Sequence, residues 1–364
     1  MKINDKGIQI LMWIICVALA VGLYFMVRTD RKQTAQRITK LRQQATALEQ
    51  ESVEKLEAKA TIYDDLISDL EIGSIVCWGD GEMAGNNSIS LAEVLQQTTI
   101  DNLSALMNKT FGKAIQNGEH ASPDVTITNM GVTNEGMQQI LARAGVTEIE
   151  ISEWIQIPGD TDPVTLPLRD DGNWSGGESE LRFAKQDKVS FGKVWISDIE
   201  GTLVTTDDWY DSIYPRYAFK RDEEGDSLGM GAGTIVEVES ATKYIGDVPV
   251  FFFSDNSARS IDGFVSDLEK LVDRYAGSDD EEEENVYDLP FVVVCTTDEG
   301  SELDEALQDN YGSRYIRNDI YVNRMKEMNY TSLAQKVYEN LDQQGCFSSA
   351  KDKITRAIQE AEGL

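Results

Sequence analysis

Residues 75–87 read IVCWGDGEMAGNN, an apolar run that ends in Gly79-Asp80 and continues into a short loop with two further glycines. A continuous apolar run bounded by turn residues is typical of a strand buried on both faces of a parallel sheet. Further strand candidates occupy residues 124–131, 248–256, 289–297 and 313–318, and helical patterns occupy 90–111, 135–144, 261–275 and 330–343. The alternation predicts an α/β fold, a three-layer parallel sheet of the flavodoxin-like type with helices on both faces.

Residues 147–246 depart from this alternation. They contain short runs of strand character, such as GKVWISDIEGTLVTT and YPRYAFKR, separated by Gly, Asp, Asn and Pro turn residues. Regular short strands with turn signals between them are typical of antiparallel β-structure. We therefore predict an inserted all-β subdomain at 147–246, which divides the α/β domain into a first part, 73–146, and a second part, 247–364.

The N-terminal segment has the composition of a membrane span. Residues 7–27 carry no charge, and about 20 apolar residues cross the hydrocarbon core of a bilayer. The uncharged stretch is longer than the apolar region of a cleavable signal peptide and is followed directly by basic residues. We predict a retained transmembrane anchor over residues 1–28.

Residues 29–72 predict a helical stalk. They contain no proline and no glycine up to residue 71, and apolar residues recur with 3-4-3 spacing from Ile38 to Leu48 and again from Val53 to Leu70. This spacing indicates either a coiled coil, through which the chain forms a homo-oligomer, or one amphipathic helix that packs on its own globular domain.

Charge and composition exclude several functions. The chain of 364 residues carries a net charge of −31, and an acidic body repels the phosphate backbone, so we expect no nucleic-acid partner. The four cysteines have no metal-type spacing, and the six acids at 279–284 lack the alternating ligands of a calcium loop. We predict no metal and no cofactor.

The order of motifs resembles the SGNH/GDSL hydrolase superfamily. The first strand ends in Gly79-Asp80-Gly81, where the family has Gly-Asp-Ser, and the second strand leads into NMGVTNE at 129–135, where the family has Asn-x-Gly-Val-x-Gly-Glu. The third strand ends in Ser254-Asp255-Asn256, where the family has Gly-x-Asn. The final helix, from Tyr330, also resembles its family counterpart. The likeness covers residues 73–347 and includes a β insertion such as some bacterial, membrane-anchored members carry.

The resemblance implies a ligand cleft at the sheet edge, lined by Asp80, Gly81, Asn134, Ser254 and Asn256. Gly81 replaces the nucleophilic serine, Asn134 replaces an oxyanion-hole glycine, and Asn256 keeps the family asparagine. Arg324 stands where the catalytic histidine would be, and the chain's one histidine, His120, lies in a polar loop before the second strand, where we expect it on the surface.

A serine attack needs a base and a set of oxyanion donors, so we expect a catalytically inactive, cell-surface binding or scaffolding module. A serine or threonine hydroxyl within hydrogen-bonding reach of a positioned base at the sheet edge would contradict this expectation. One alternative is an active esterase on an acylated glycan or another ester, in which Asp80 and Asp255 do acid–base work. The other is a structural assembly protein held together by its stalk. Trp78 and Trp209 either pack in the interior or offer a flat face to a carbohydrate or protein ligand.

The membrane orientation depends on two conflicting signals. Two lysines precede the span, whereas six basic residues follow it between Arg28 and Arg42. This distribution alone favours a cytoplasmic body. The resemblance implies an exported domain, and on that basis we expect a single-pass membrane protein with an extracellular C-terminal body.

Overall fold

The structure is a computed structural model that describes residues 5–85, 89–116, 118, 120–170, 181–184, 191–209, 214–254, 260–277, 287, 289–319 and 330–363; of residues 5–11, 170 and 209 it describes the backbone alone. The chain divides into two compact units. The first comprises residues 1–65, 110–120 and 357–364, and the second comprises residues 66–109 and 121–356.

The first unit consists mainly of residues 5–65 of α1 (Asp5–Asp69), a single unbroken helix. This helix is long and apolar enough to cross a membrane, by its length and composition. It has no break at residue 28, so anchor and stalk form one element, because neither segment contains a proline that would interrupt the backbone hydrogen bonds. Residues 12–57 are all exposed, including the apolar stripe at Ile38, Leu41, Leu48 and Val53.

The last turns of α1 in this unit carry buried side chains. Tyr63 is 5% exposed, and its ring centroid lies 5.7 Å from that of Phe111 and 6.1 Å from that of His120. His120 Nδ1 lies 2.7 Å from Asp64 Oδ1, and the His120 side chain is 16% exposed. His120 is thus partly exposed: its ring packs against Tyr63, and it pairs with a carboxylate in an exposed contact.

The second unit is built on a five-stranded parallel sheet. In chain order its first two strands are β1 (Ile75–Gly79) and β2 (Ile127–Asn129). Its other three strands come after a long stretch of antiparallel structure and are β12 (Val248–Ser254), β13 (Val292–Thr297) and β14 (Tyr315–Asp319). The spatial order is β2-β1-β12-β13-β14, and all four pairings are parallel. The predicted parallel α/β sheet is confirmed.

Helices cover both faces of this sheet, as the continuous apolar strands predict. One face packs Trp78, Phe251 and Phe253 against α4 (Met137–Arg143), α6 (Ile261–Ala276) and α7 (Glu302–Tyr311). The other face packs Cys77 and Phe252 against α3 (Leu91–Phe111) and α8 (Thr331–Gln343). Among the described residues, the other α-helices are two four-residue helices, α2 (Gly81–Ala84) and α5 (Ser240–Lys243), and the C-terminal α9 (Ser348–Glu362), and a 3-10 helix, Gly312–Arg314, connects α7 to β14.

The described residues between 149 and 238 form antiparallel strands. They are β3 (Ile149–Ile151), β4 (Ile155–Ile157), β5 (Val164–Thr165), β6 (Leu168–Asp170), β7 (Val194–Ile196), β8 (Ile199–Trp209), β9 (Pro215–Arg221), β10 (Leu228–Met230) and β11 (Val236–Val238). They form one five-stranded sheet, β11-β7-β8-β9-β5, and two strand pairs, β10-β4 and β3-β6. Alternating inward side chains such as Val194, Ile196 and Phe219 give this region a core of its own. Residues 181–184 lie outside regular strands, although Leu181 and Phe183 are buried in this core.

Candidate functional site at the carboxyl edge of the parallel sheet

The strand order indicates where a ligand-binding crevice would lie in this sheet. β1 has β2 on one side and β12 on the other, so the chain leaves β1 toward one half of the sheet and later returns to build the other half. In open parallel sheets, ligands bind outside the carboxyl ends of the strands at such a reversal point. The residues that follow β1 and end β12 are Asp80 and Ser254.

Polar residues stand at or next to the carboxyl end of each strand in this sheet. They are Asn129 on β2, Asp80 after β1, Ser254 on β12, Thr296 on β13 and Asn318 on β14. Ser254, Thr296 and Asn318 are register neighbours, and Asn318 Nδ2 donates to Thr296 Oγ1 at 2.8 Å. None of the five is a lysine or arginine. Asp80, Thr296 and Asn318 are buried, so Asn129 and Ser254 are the two members of this polar row that solvent reaches most readily.

Asp80 ties the two central strands together. Its Oδ1 accepts the backbone N–H of Glu82 at 2.9 Å and so caps α2, while its Oδ2 accepts the Ser254 N–H at 2.9 Å and the Ser254 hydroxyl at 2.8 Å. The residue is 4% exposed. Hydrogen bonds to a charged acceptor are roughly twice as strong as neutral ones. The carboxylate is therefore a clamp between the ends of β1 and β12.

The glycine before this clamp is required by packing. A Cβ on Gly79 would lie 2.0 Å from the Phe252 carbonyl oxygen on β12 and 2.7 Å from Met83 Cβ. No side chain fits at that distance, so Gly79 lets β1 and α2 approach β12 closely. This close approach brings Asp80 within reach of Ser254.

Gly81 begins α2, at the position where the resemblance places the nucleophile. The next side chain, Glu82, is half-buried, and the Tyr330 hydroxyl lies 3.3 Å from the Glu82 carbonyl oxygen and 3.4 Å from its Oε2. Burial raises the pKa of Tyr330, and the charges of Glu82 and Asp80 raise it further. The tyrosine is thus a hydrogen-bond donor at neutral pH and unsuited to act as a base.

The loop after β2 lies against α2. Asn129 Nδ2 donates to the Met83 carbonyl oxygen at 3.2 Å, and Asn129 Oδ1 accepts the Gly131 N–H at 2.9 Å. A Cβ on Gly131 would lie 2.6 Å from the backbone nitrogen of Ala84, so this glycine also serves a close approach. Asn134 has a φ of 65°, a left-handed conformation that asparagine tolerates, and its carbonyl oxygen accepts the Tyr214 hydroxyl at 2.9 Å.

A buried ion pair holds the end of this loop. Arg143 on α4 donates from Nε and Nη2 to Glu135 Oε2, both at 2.8 Å, and both side chains are fully buried. Arg143 Nη2 also donates to the Met130 carbonyl oxygen at 2.9 Å. The two ends of the 130–135 loop are thereby tied to one guanidinium.

The structure brings together only part of the predicted cleft. Asp80, Gly81 and Ser254 lie at the crevice, and Asn134 lies in the loop after β2, while Asp255, Asn256 and Arg324 fall outside the described residues. The Asp80–Asp255 pair thus lies outside the described residues, and Asp80 accepts hydrogen bonds from Ser254 and Glu82. Trp78 is fully buried and offers no face to a ligand; the side chain of Trp209 lies outside the described residues.

Two side chains at the crevice, Glu82 and Tyr330, are not predicted as site residues from the sequence. Glu82 directly follows the altered family position, and Tyr330 opens the last family block, so both stand inside quoted motifs. Neither residue type is a family functional residue at its position, and only the fold shows that they meet.

Comparisons with known proteins give no relative. No family model, no curated protein and no solved structure matches the chain.

Proposed function

We propose that the chain is a membrane-anchored, degenerate SGNH-like domain with an inserted β subdomain at 147–246, and that its crevice binds a ligand without hydrolysing it. The strand order β2-β1-β12-β13-β14 supports a flavodoxin-like sheet, the order found in such folds. The absence of hydrolysis is supported by the environment of residues 80 and 81. Gly81 has no nucleophile, and both oxygens of Asp80 already accept backbone N–H groups.

The class of ligand follows from the polar row, the five polar residues at the carboxyl edge of the parallel sheet. Its five residues offer amides, hydroxyls and a carboxylate but no cation, whereas phosphate sites use lysine, arginine or free backbone N–H groups. The helix N-terminus that could supply an N–H is capped by Asp80 itself. A hydroxyl-rich neutral glycan therefore suits the edge better than a phosphorylated ligand, and a protein surface of similar polarity is the second choice.

One observation favours an active hydrolase. The Ser254 hydroxyl donates to Asp80 Oδ2 at 2.8 Å, so a serine hydroxyl does lie within reach of a carboxylate at the sheet edge. This meets part of the condition that would contradict an inactive domain. Proton transfer to Asp80 would, however, weaken the two backbone hydrogen bonds that the carboxylate accepts. For this reason we assign the pair to the clamp.

A substrate screen separates these two functions. Full-length protein in mild detergent is tested on acetylated glycans and simple aryl esters, beside Ser254→Ala and Asp80→Asn. Ser260→Ala is the matched control, because Ser260 caps α6 with its hydroxyl and lies outside the polar row. No turnover in the wild type, with binding of a neutral glycan, is the expected result. Turnover that Ser254→Ala abolishes and Ser260→Ala retains would establish the hydrolase instead.

We also propose that α1 places the body outside the cell, as the resemblance implies, against the bias of the six basic residues after the span. Protease treatment of intact cells tests the orientation. Digestion of the body is expected, and a body that is cut only after lysis would place it in the cytoplasm.

A structural role through the stalk is supported by the exposed stripe from Ile38 to Val53. An exposed apolar stripe on a helix fits a second copy of the same chain, held parallel by the shared membrane. Ala45 and Ala47 give a matched pair for cysteine cross-linking, since both are exposed and they point about 200° apart around the helix. Selective dimer formation by Ala45→Cys supports the role; equal or absent cross-linking contradicts it.

A further inference from the structure

Trp154 lies directly before β4 and is 65% exposed, although tryptophan is a highly buried residue on average. The indole contacts the partner strand β10 through one edge. A Cβ on Gly229 would lie 3.1 Å from Cζ2, 3.2 Å from Nε1 and 3.4 Å from Cε2 of this ring, and these three atoms are neighbours on the same edge. The glycine thus makes room for the ring, and an edge contact leaves the ring faces open to solvent.

The neighbours of Trp154 on this side of the strand pair are small or polar. Gln156 is exposed and is the register partner of Gly229. Its Nε2 donates to Ser227 Oγ at 2.7 Å, and Ser227 Oγ donates to the Ile157 carbonyl oxygen at 2.9 Å. These two hydrogen bonds orient the amide of Gln156 and leave its Oε1 without a partner among the described residues. An exposed aromatic face and a fixed hydrogen-bond acceptor therefore stand side by side.

Area and charge decide which class of ligand fits. A tryptophan side chain offers about 150–250 Å² at most, whereas a stable protein interface buries about 800 Å² on each partner and uses several apolar anchors. Two exposed acids, Glu153 and Asp226, directly precede Trp154 and Ser227 in the sequence. Their charge disfavours phosphate groups and anionic lipid head groups. The remaining ligand class is small, uncharged and rich in hydroxyl groups.

We propose that Trp154 stacks on a sugar ring of a neutral glycan and that Gln156 Oε1 accepts a hydrogen bond from a hydroxyl group of that glycan. A pyranose ring is about as large as an indole. Its faces carry C–H bonds, whose weak positive charge meets the negative face of the aromatic ring. The site lies on the β4–β10 strand pair and not at the carboxyl edge of the parallel sheet, so it does not depend on the proposed crevice.

Fluorine NMR tests the contact directly. Full-length protein labelled with 5-fluorotryptophan is kept in a detergent without a sugar head group, because such head groups would compete. Cellohexaose, maltohexaose and chitohexaose are the neutral probes, and the resonance that is missing from Trp154→Phe belongs to Trp154. That resonance should shift in a saturable manner with at least one probe. If it shifts with none of the three, the inference is overturned.

Calorimetric titration of variants with the same probe tests the energetics. Trp154→Ala should weaken binding about tenfold or more, Trp154→Tyr should weaken it less because a ring remains, and Gln156→Ala should weaken it about threefold to tenfold. Ile245→Ala is the matched control, since Ile245 is 48% exposed and lies outside this strand pair. Thermal midpoints of the variants should match the wild type, because the side chains are exposed.

Two results would overturn the inference. Glycan binding that Trp154→Ala leaves unchanged would place the glycan elsewhere, for instance at the crevice alone. Self-association that Trp154→Ala abolishes, without any glycan binding by the wild type, would assign the exposed indole to a second copy of the chain.

Discussion

The Glu135–Arg143 pair makes the sharpest stability prediction, because both charges are fully buried and bonded to each other. Removing one partner of a buried pair leaves an unpaired charge and costs about 3–5 kcal/mol. Glu135→Leu and Arg143→Met should each lose about that much. A domain has about 5–15 kcal/mol of stability in total, so either single variant brings the body close to unfolding.

The double variant should be more stable than either single one. With both charges replaced by apolar groups, the desolvation cost disappears, while the Met130 carbonyl loses the Arg143 donor. That loss is about 1–2 kcal/mol. The expected order of stability is therefore wild type, then the double variant, then the two single variants.

Urea unfolding of the full-length protein in detergent, followed by tryptophan fluorescence, measures the series. With a slope of about 2–3 kcal/mol/M, each single variant should shift the midpoint by about 1–2 M. Lys270→Met is the control, since its partner Asp267 forms an exposed pair on α6 that is worth less than about 1 kcal/mol. Strictly additive costs in the double variant, or a shift by Glu135→Leu no larger than the control's, would refute the reasoning.

Three further outcomes follow from the same packing. Gly79→Ala should prevent stable folding, as its Cβ would lie 2.0 Å from a carbonyl oxygen, while Gly73→Ala, with nothing within 4 Å, should be neutral; soluble yield and circular dichroism compare them. Ser301→Ala removes the hydroxyl that caps α7 and should cost about 1 kcal/mol, read from a denaturant midpoint, and an unchanged midpoint would contradict the cap. Burial raises the pKa of the Cys346 thiol to about 12 from 9.0. Its stabilising contribution is therefore complete below about pH 9 and lost as the pH rises toward 12, so thermal midpoints should fall over that range, less in Cys346→Ala.

The parallel sheet could be predicted because its strands are continuous apolar runs. Residues 250–253, for example, are buried on both faces of the sheet, and burial on both faces gives a continuous apolar run in the sequence. The helices at 302–311 and 348–362 were not predicted. Four of the ten residues of α7 are acidic, and only three of its side chains are buried, so its apolar face is short. In α9 the buried residues Ala350, Ile354, Ala357 and Ala361 do recur at helical spacing, but three of the four are alanines, which also occur on exposed helix faces.

The clamp could not be predicted, because it depends on which strands are neighbours. Asp80 and Ser254 are 174 residues apart, and nothing local shows that β1 pairs with β12 in the register Gly79 to Phe252. The sequence does place both residues at strand ends. It does not reveal that the serine backbone and hydroxyl would share one carboxylate oxygen.

The same carboxylate also limits how the crevice can open. A ligand inserted between the ends of β1 and β12 would have to break two hydrogen bonds at once, both of them from Ser254 to the Asp80 carboxylate. A ligand that lies across the strand ends leaves these hydrogen bonds intact. For the ligand-binding function proposed above, the clamp therefore favours shallow, elongated ligands that contact the strand ends from outside.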